Sequence, residues 1–186
     1  MRALISVYNK TGLIELVNQL SRRFKLKLIS TGGTAQYLKS KGFKVVEVAQ
    51  VTGFPEILGG RVKTLHPKIM GGILAEKNNR QHLGELKKLG IGPIDMVVVN
   101  LYPFEQTIKK PGVSLGEAIE QIDIGGVTLL RAAAKSWRTT TVLSQIKDYA
   151  QIAKKISLEK RRELAAKAFR LTSKYDKLIA DYLLLQ

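Results

Sequence analysis

The sequence predicts a three-layer α/β domain built on a parallel sheet, and three observations predict it. Short, apolar, β-branched runs recur along the chain, as in strands buried on both faces. Helix-periodic segments separate them, an alternation that produces parallel sheets covered by helices. Small-residue or basic turns follow several of these runs and open toward the next helical segment.

The first strand is expected at Ala3–Val7. Its flank, starting at Met1-Arg2, has neither the length nor the cleavage pattern of a signal peptide. Leu13, Leu16, Val17 and Leu20 then repeat at spacings of three and four, which gives a helix one apolar face. Lys27–Ser30 is the second strand. Ala35–Lys41 is the second helix, stopped by Gly42. Lys44–Val48 is the third strand. Residues 59–68 have neither periodicity and read as a loop. Asn79–Leu89 is helical and ends at Gly90, Met96–Asn100 is the fourth strand, and Leu115–Gln121 and Gly126–Lys135 are helices. Thr140–Leu143 closes the set of strands. Beyond Ser157, an N-cap residue with Glu159 in the first turn, helical spacing joins Leu164, Ala168, Leu171, Tyr175, Ile179 and Tyr182. This is one long amphipathic helix, or two with a break at Thr172–Ser173. Residues 1–186 are therefore expected to form a single domain. Residues 157–186 would be a helical extension packed on the sheet domain or on a second subunit.

Composition narrows the function classes. The chain has 186 residues, 45% of them hydrophobic, which suits one domain with a sizeable core. No run approaches the roughly 18 apolar residues of a membrane span, and a cytoplasmic protein is expected. It has no cysteine and only two histidines, His66 and His82, so neither a disulfide nor a Cys- or His-built metal site is expected. The net charge of +16 favours anionic ligands. The basic residues are nevertheless scattered over the whole length, as on solvated faces. The aromatics do not interleave with them as in single-strand binders, so specific nucleic-acid binding is not expected. An acidic partner domain is another reading of the charge.

Four turns and the end of the fourth strand carry the chemistry. The most informative is Gly59-Gly60-Arg61-Val62-Lys63-Thr64-Leu65-His66-Pro67-Lys68, a basic loop framed by Gly and Pro and suited to an anion such as phosphate. Ser30-Thr31-Gly32-Gly33-Thr34 joins a strand to a helix. Its glycines let backbone approach a ligand, and the helix start offers N–H groups and a favourable dipole to phosphate. It is also what an ordinary tight turn looks like, and it is neither G-x-G-x-x-G nor a P-loop. Tyr8-Asn9-Lys10-Thr11-Gly12 follows the first strand. Ligands of open α/β sheets sit beyond the carboxyl ends of the strands, so Lys10 is a ligand contact or a solvated lysine. Asn100 and Tyr102 end the fourth strand on the same rim, or form a structural Tyr-Pro turn. Asp123-Ile124-Gly125-Gly126 opens a helix that Asp123 could simply cap. Lys135 closes that helix, as a solvated lysine or as one pressed against the Ala132–Ala134 face with a lowered pKa. His66 reads as a structural loop histidine and His82 as a solvated one.

These segments resemble the inosine-monophosphate cyclohydrolase domain of the bifunctional purine-biosynthesis enzyme. The resemblance covers essentially the whole chain. It runs through Lys10-Thr11-Gly12-Leu13, Ser30–Ala35, Val51-Thr52-Gly53-Phe54-Pro55-Glu56, Gly60–Lys68, Asn100–Phe104 and Ile122–Lys135. It implies a methylglyoxal-synthase-like fold with a mainly parallel five-stranded sheet and a helical C-terminal extension. It implies a homodimer, no metal and no cofactor. The reaction it implies is closure of a formylated imidazole carboxamide ribotide to inosine monophosphate with loss of water. The family's larger formyltransferase domain has no counterpart here, so a stand-alone cyclohydrolase or an excised domain is expected, with a formyltransferase supplying its substrate.

By the same resemblance Lys135 is expected to transfer protons, Asp123 to orient substrate or assist, and Tyr102 and Lys63 to donate toward the formyl oxygen. Lys10, Thr31, Gly32, Gly33, Thr34, Arg61 and Thr64 would hold the ribotide and its phosphate. Tyr8, Asn9, Asn100, Ile124 and Gly125 would complete the substrate contacts. The chain departs from the family pattern at Tyr8-Asn9 (usually Ser-Asp), Met70 (usually His) and Ser136-Trp137 (usually Asn-His). Three rivals remain. A methylglyoxal synthase needs a histidine that this chain lacks beyond His66. A regulatory nucleotide-binding module needs the phosphate turn but not Tyr102, Asp123 and Lys135 together. A nucleic-acid binder rests on charge alone.

Overall fold

The computed structural model describes residues 1–153 and 156–185. Its centre is a five-stranded, wholly parallel sheet in the order β3-β2-β1-β4-β5. The strands are β1 (Arg2–Val7), β2 (Lys27–Ser30), β3 (Val45–Glu47), β4 (Met96–Asn100) and β5 (Thr141–Leu143). Each falls on an expected apolar run, within a residue at either end. The reason is visible in the central pair. Ala3, Leu4 and Ile5 of β1 and Val97, Val98 and Val99 of β4 are all buried, so both faces of these strands are covered.

The covering helices are α1 (Leu13–Arg23), α2 (Gly32–Ser40), α3 (Val48–Thr52), α4 (Pro67–Leu74), α5 (Arg80–Lys88), α6 (Phe104–Ile108), α7 (Leu115–Glu120), α8 (Gly125–Lys135) and α9 (Leu158–Leu183). The predicted face of α1 is the buried one: Leu13, Leu16, Val17 and Leu20. Helix α2 begins three residues before the expected Ala35, so the Gly-Gly pair lies inside its first turn. Helix α4 falls partly in the stretch read as loop. His66 has extended backbone, Pro67 takes the first helical position, and the His66 Nδ1 accepts from the Lys68 N–H at 3.1 Å. Helices α3 and α6 span one turn each and carry too little periodicity to be read from sequence.

Helix α9 is one continuous helix, capped by Ser157, whose side chain accepts from the Lys160 N–H at 3.1 Å. Of the two readings the unbroken helix holds: Thr172 lies inside it, its hydroxyl donating to the Phe169 carbonyl at 3.0 Å. Leu164, Ala165 and Ala168 join the main core, where α9 packs on α8 and β5 of the same chain. Further along, Tyr175 enters a second, small cluster with Phe104 and Ala118. At the opposite end of the sheet, Lys77 donates to the Ile94 and Thr139 carbonyls (2.6 and 2.8 Å) and lies 3.6 Å from Asp95. Burial holds its pKa below the ordinary lysine value despite Asp95. It is a structural pin that sequence spacing did not single out.

Candidate functional site

The sheet order makes β1 and β4 the switch point: β2 and β3 extend to one side, β5 to the other. Open α/β sheets bind ligands in the crevice outside the strand ends at such a point. Val7 and Asn100 are paired in register at those ends. A cavity of about 680 Å³ opens directly above them, within the range of small-molecule sites. Its walls come from the turns after β1, β2 and β4, the 59–64 loop, and the α7–α8 junction.

The β1 turn is shaped by an amide. Asn100 Oδ1 accepts from the Asn9 N–H and its Nδ2 donates to the Asn9 carbonyl, both at 2.9 Å. The Asn9 side chain turns back to accept from the Thr11 N–H at 2.9 Å. Asn100 therefore holds the turn, and Asn9 does not line the cavity, unlike its neighbours Tyr8 and Lys10. Tyr8 meets Tyr102 edge to face, with ring centroids 5.5 Å apart. A departure from the family pattern thus buttresses one of the expected catalytic side chains.

The β2 turn presents the first turn of α2 to the cavity. Gly32 has φ of 46°, a left-handed conformation that favours glycine. Thr31, extended and nearly buried, makes no side-chain cap. The first N–H groups of a helix have no intrahelical acceptor, and here they belong to cavity-lining residues. Thr34 is bound to β1 through its side chain: its Oγ1 accepts from the Val7 N–H (3.1 Å) and donates to the Val7 carbonyl (2.9 Å). What Thr34 offers a ligand is its backbone.

The 59–64 loop is closed by an antiparallel bridge between Ile57 and Val62. Its tip runs through three consecutive left-handed residues, Leu58, Gly59 and Gly60 (φ 54°, 64° and 88°). That chain reversal aims Lys63 inward. A Cβ on Gly60 would lie 3.4 Å from the Lys63 ammonium and one on Gly32 3.8 Å from it, so glycine leaves both approaches open. Glu56 stands 3.8 Å from the same ammonium. Arg61 is exposed and pairs with Glu120, another cavity-lining residue. Thr64 is buried and faces Gly125, where an added Cβ would come within 2.9 Å of its hydroxyl.

Asp123 is the most constrained group. Its Oδ1 accepts from the Gly126 N–H at 2.6 Å, so it caps α8 as well as lining the cavity. Gly126 is required there, because a Cβ would collide with the carboxylate at 2.4 Å. Burial raises the Asp123 pKa; the Gly126 and Tyr102 N–H groups and the Lys63 charge oppose the rise without cancelling it. The Tyr102 phenol is raised too, by burial first and then by Asp123, Glu56 and Tyr8. The site thus pairs a carboxyl with a stronger hold on protons than usual and a phenol that stays protonated beside it.

Tyr8, Lys10, Thr31, Gly32, Gly33, Thr34, Arg61, Lys63, Thr64, Asn100, Tyr102, Asp123, Ile124 and Gly125 all line this cavity. Lys135 does not. It is the last residue of the 11-residue α8, about 15 Å of helical rise from the end at the cavity. The alanines beside it are buried, but Lys135 itself projects to solvent. It borders a separate cleft with Met70, Trp137 and Phe169. Of its two readings the solvated lysine holds, because the buried Ala face and the Lys135 side chain point in different directions around the helix. Sequence reasoning also missed Glu120, Gln121 and Leu129 as lining residues; nothing in their spacing marks them. His66 is occupied capping α4. His82 is half-buried, its Nδ1 accepting from the Glu76 N–H at 3.2 Å, rather than solvated. Among the described residues, no three His, Asp or Glu side chains come together to hold a metal, and no helix is long and apolar enough to cross a membrane.

Residues 12–128, from the β1 turn into the start of α8, match the MGS-like domain. The chain belongs to that family. The remainder, residues 133–186, matches the AICARFT/IMPCHase bienzyme family. Together the two matches run through most of the chain. Relatives named bifunctional purine biosynthesis protein PurH include those of Acetivibrio thermocellus (52% identical over 98% of this chain) and Caldicellulosiruptor bescii (54% over 97%). The chain spans about a third of their length, 36% in each case. A solved structure described as the crystal structure of ForH superposes with a TM-score of 0.86 at 35% identity, covering 97% of this chain and 95% of that one.

Proposed function

We propose that this MGS-like domain is an inosine-monophosphate cyclohydrolase, which closes the purine ring of a 5-formamidoimidazole-4-carboxamide ribotide. The observation that carries the reading is the convergence of Lys63, Tyr102 and Asp123 in one cavity, opposite backbone turns suited to phosphate. In the reaction the carboxamide nitrogen attacks the formyl carbon and a C–N bond forms. The formyl oxygen leaves as water, with one proton from the carboxamide nitrogen and one from the formamido nitrogen. In this reading Asp123, which lines the cavity and has a raised pKa, takes the proton from the attacking nitrogen. The Lys63 ammonium and the Tyr102 hydroxyl donate toward the oxygen as it becomes negative. Lys10, Arg61, Thr64 and the first turn of α2 hold the ribose phosphate, so remote binding positions the reacting end. Lys135 has no part in this single-protomer reading.

A homodimer acting in the cytoplasm, supplied by a formyltransferase linked in the same protein or separate from it, completes the proposal. The methylglyoxal-synthase reading is disfavoured because neither histidine lines the cavity. The test is ultraviolet absorbance on mixing the protein with the synthetic formylated ribotide. Growth of the purine chromophore in proportion to enzyme is expected. Tight binding of inosine monophosphate without turnover would instead favour a regulatory module.

Two further outcomes are expected. Gly32→Ala places a Cβ on a left-handed residue, which costs about 1–2 kcal/mol. It should lower thermal stability accordingly and weaken inosine monophosphate binding, measured by denaturation with and without the nucleotide. Because the substrate is anionic and the chain carries +16, kcat/KM should fall as salt rises while kcat changes little. A salt-independent kcat/KM would remove steering from the account.

A further inference from the structure

We infer that Tyr175, on the C-terminal helix α9, is a positioning residue for the cavity: its hydroxyl fixes the turn that carries Asp123. The inference rests on the cyclohydrolase reading for its kinetic test and on the geometry alone for its second test. The Tyr175 hydroxyl accepts from the Asp123 N–H at 2.8 Å and donates to the Gln121 carbonyl at 3.0 Å. Gln121 and Asp123 both line the cavity. One phenol therefore ties together both ends of the α7–α8 connection from behind the cavity wall.

The same side chain braces the second wall. Tyr175 packs edge to face on Phe104, with centroids 6.2 Å apart. Phe104 is buried and sits two residues after Tyr102, whose carbonyl accepts from the Phe104 N–H at 2.9 Å. Tyr102 is coupled in turn to Asp123, its backbone N–H helping to hold the Asp123 pKa down. The Tyr102 loop, the Asp123 turn and α9 thus form one closed unit around a small apolar cluster that is separate from the main core. The unit meets the β1 turn only through the Tyr102 ring on Tyr8, and none of these contacts involves the first turn of α2 proposed to hold the phosphate. The residues matching the MGS-like domain end at 128, so α9 lies wholly in the segment that matches the bienzyme family. In this chain that segment supplies a support that the sheet and its cover do not.

The test compares Tyr175→Phe, which keeps the ring and loses the hydroxyl, with Tyr182→Phe. Tyr182 also packs on Phe104, at 5.6 Å, but its hydroxyl makes no recorded bond to the 121–123 turn among the described residues. Tyr175→Phe should lower kcat about tenfold or more while KM stays within about twofold, since the reacting end loosens and the phosphate end does not. Tyr182→Phe should leave both unchanged. In parallel, the Asp123 amide should exchange its hydrogen at least about tenfold faster in Tyr175→Phe than in the wild type, because its acceptor is gone. Unchanged kcat in Tyr175→Phe, or an equal loss in Tyr182→Phe, would overturn the positioning role. If the wild type itself shows no turnover, the cyclohydrolase reading fails instead, and the amide exchange decides the inference alone: equal exchange in wild type and Tyr175→Phe overturns it.

Discussion

Asp123→Asn is expected to lower kcat by about 10²–10⁴-fold, the range for loss of a general base, while inosine monophosphate still binds. The amide keeps an oxygen to accept from the Gly126 N–H, so the α8 cap should survive. What it cannot do is take a proton. In the wild type the base must be ionised, so the rate should rise with pH through a pKa above the ordinary aspartate value of 3.8. The variant should lose that limb. The stability consequence has the opposite sign to the usual carboxylate case. A carboxyl whose folded pKa is raised by burial favours folding most below its unfolded pKa, and that contribution is lost as pH rises through the folded value. At neutral pH the Asn variant should therefore be at least as stable as the wild type by thermal denaturation. A variant that is both folded and fully active would remove Asp123 from the chemistry and leave it a helix cap.

Lys63→Met should cost about 10²–10³-fold in kcat, the usual consequence of removing one donor to a developing oxyanion. Methionine retains much of the stem that passes Gly60 and Gly32, so the loop should hold its shape. The loss should appear in kcat more than in KM, since the charge on the formyl oxygen exists only as the reaction proceeds. Removal of the ammonium also leaves Glu56 unpaired nearby. The double variant Glu56→Gln/Lys63→Met separates that penalty: a rate restored by the second change would mean that Lys63 serves to neutralise Glu56. Persistence of the deficit supports a direct role. Steady-state kinetics on both variants, with inosine monophosphate affinity as a fold check, decides the matter.

Much of this was legible in the chain. The strands could be read because parallel strands covered on both faces must be apolar at nearly every position, and β1 and β4 are. The turns could be read because a chain passing from a strand into a helix against a ligand needs glycine, and Gly32, Gly60 and Gly126 each stand where a side chain is strained or would collide. The short helices α3 and α6 could not be read, since one turn carries too little of the helical period.

The division at the site is sharper. Sequence alone determined the family, the order of the strands along the chain and the turns that would face a ligand, because these follow from local pattern and contiguous motifs. Tertiary structure decided which charged groups meet. Lys63 and Lys135 stand alike in the sequence as motif lysines, but the reversal at Leu58–Gly60 turns Lys63 into the cavity. The length of α8 carries Lys135 away from it. Asn9 and Thr34 stand among the expected substrate contacts, and their side chains are bound to backbone. Tyr175, 52 residues beyond Asp123, reaches it only because α9 folds back over the Phe104 cluster. Helical periodicity states which face of α9 is apolar; it cannot state which distant turn that face will meet, since that depends on the packing of the whole chain.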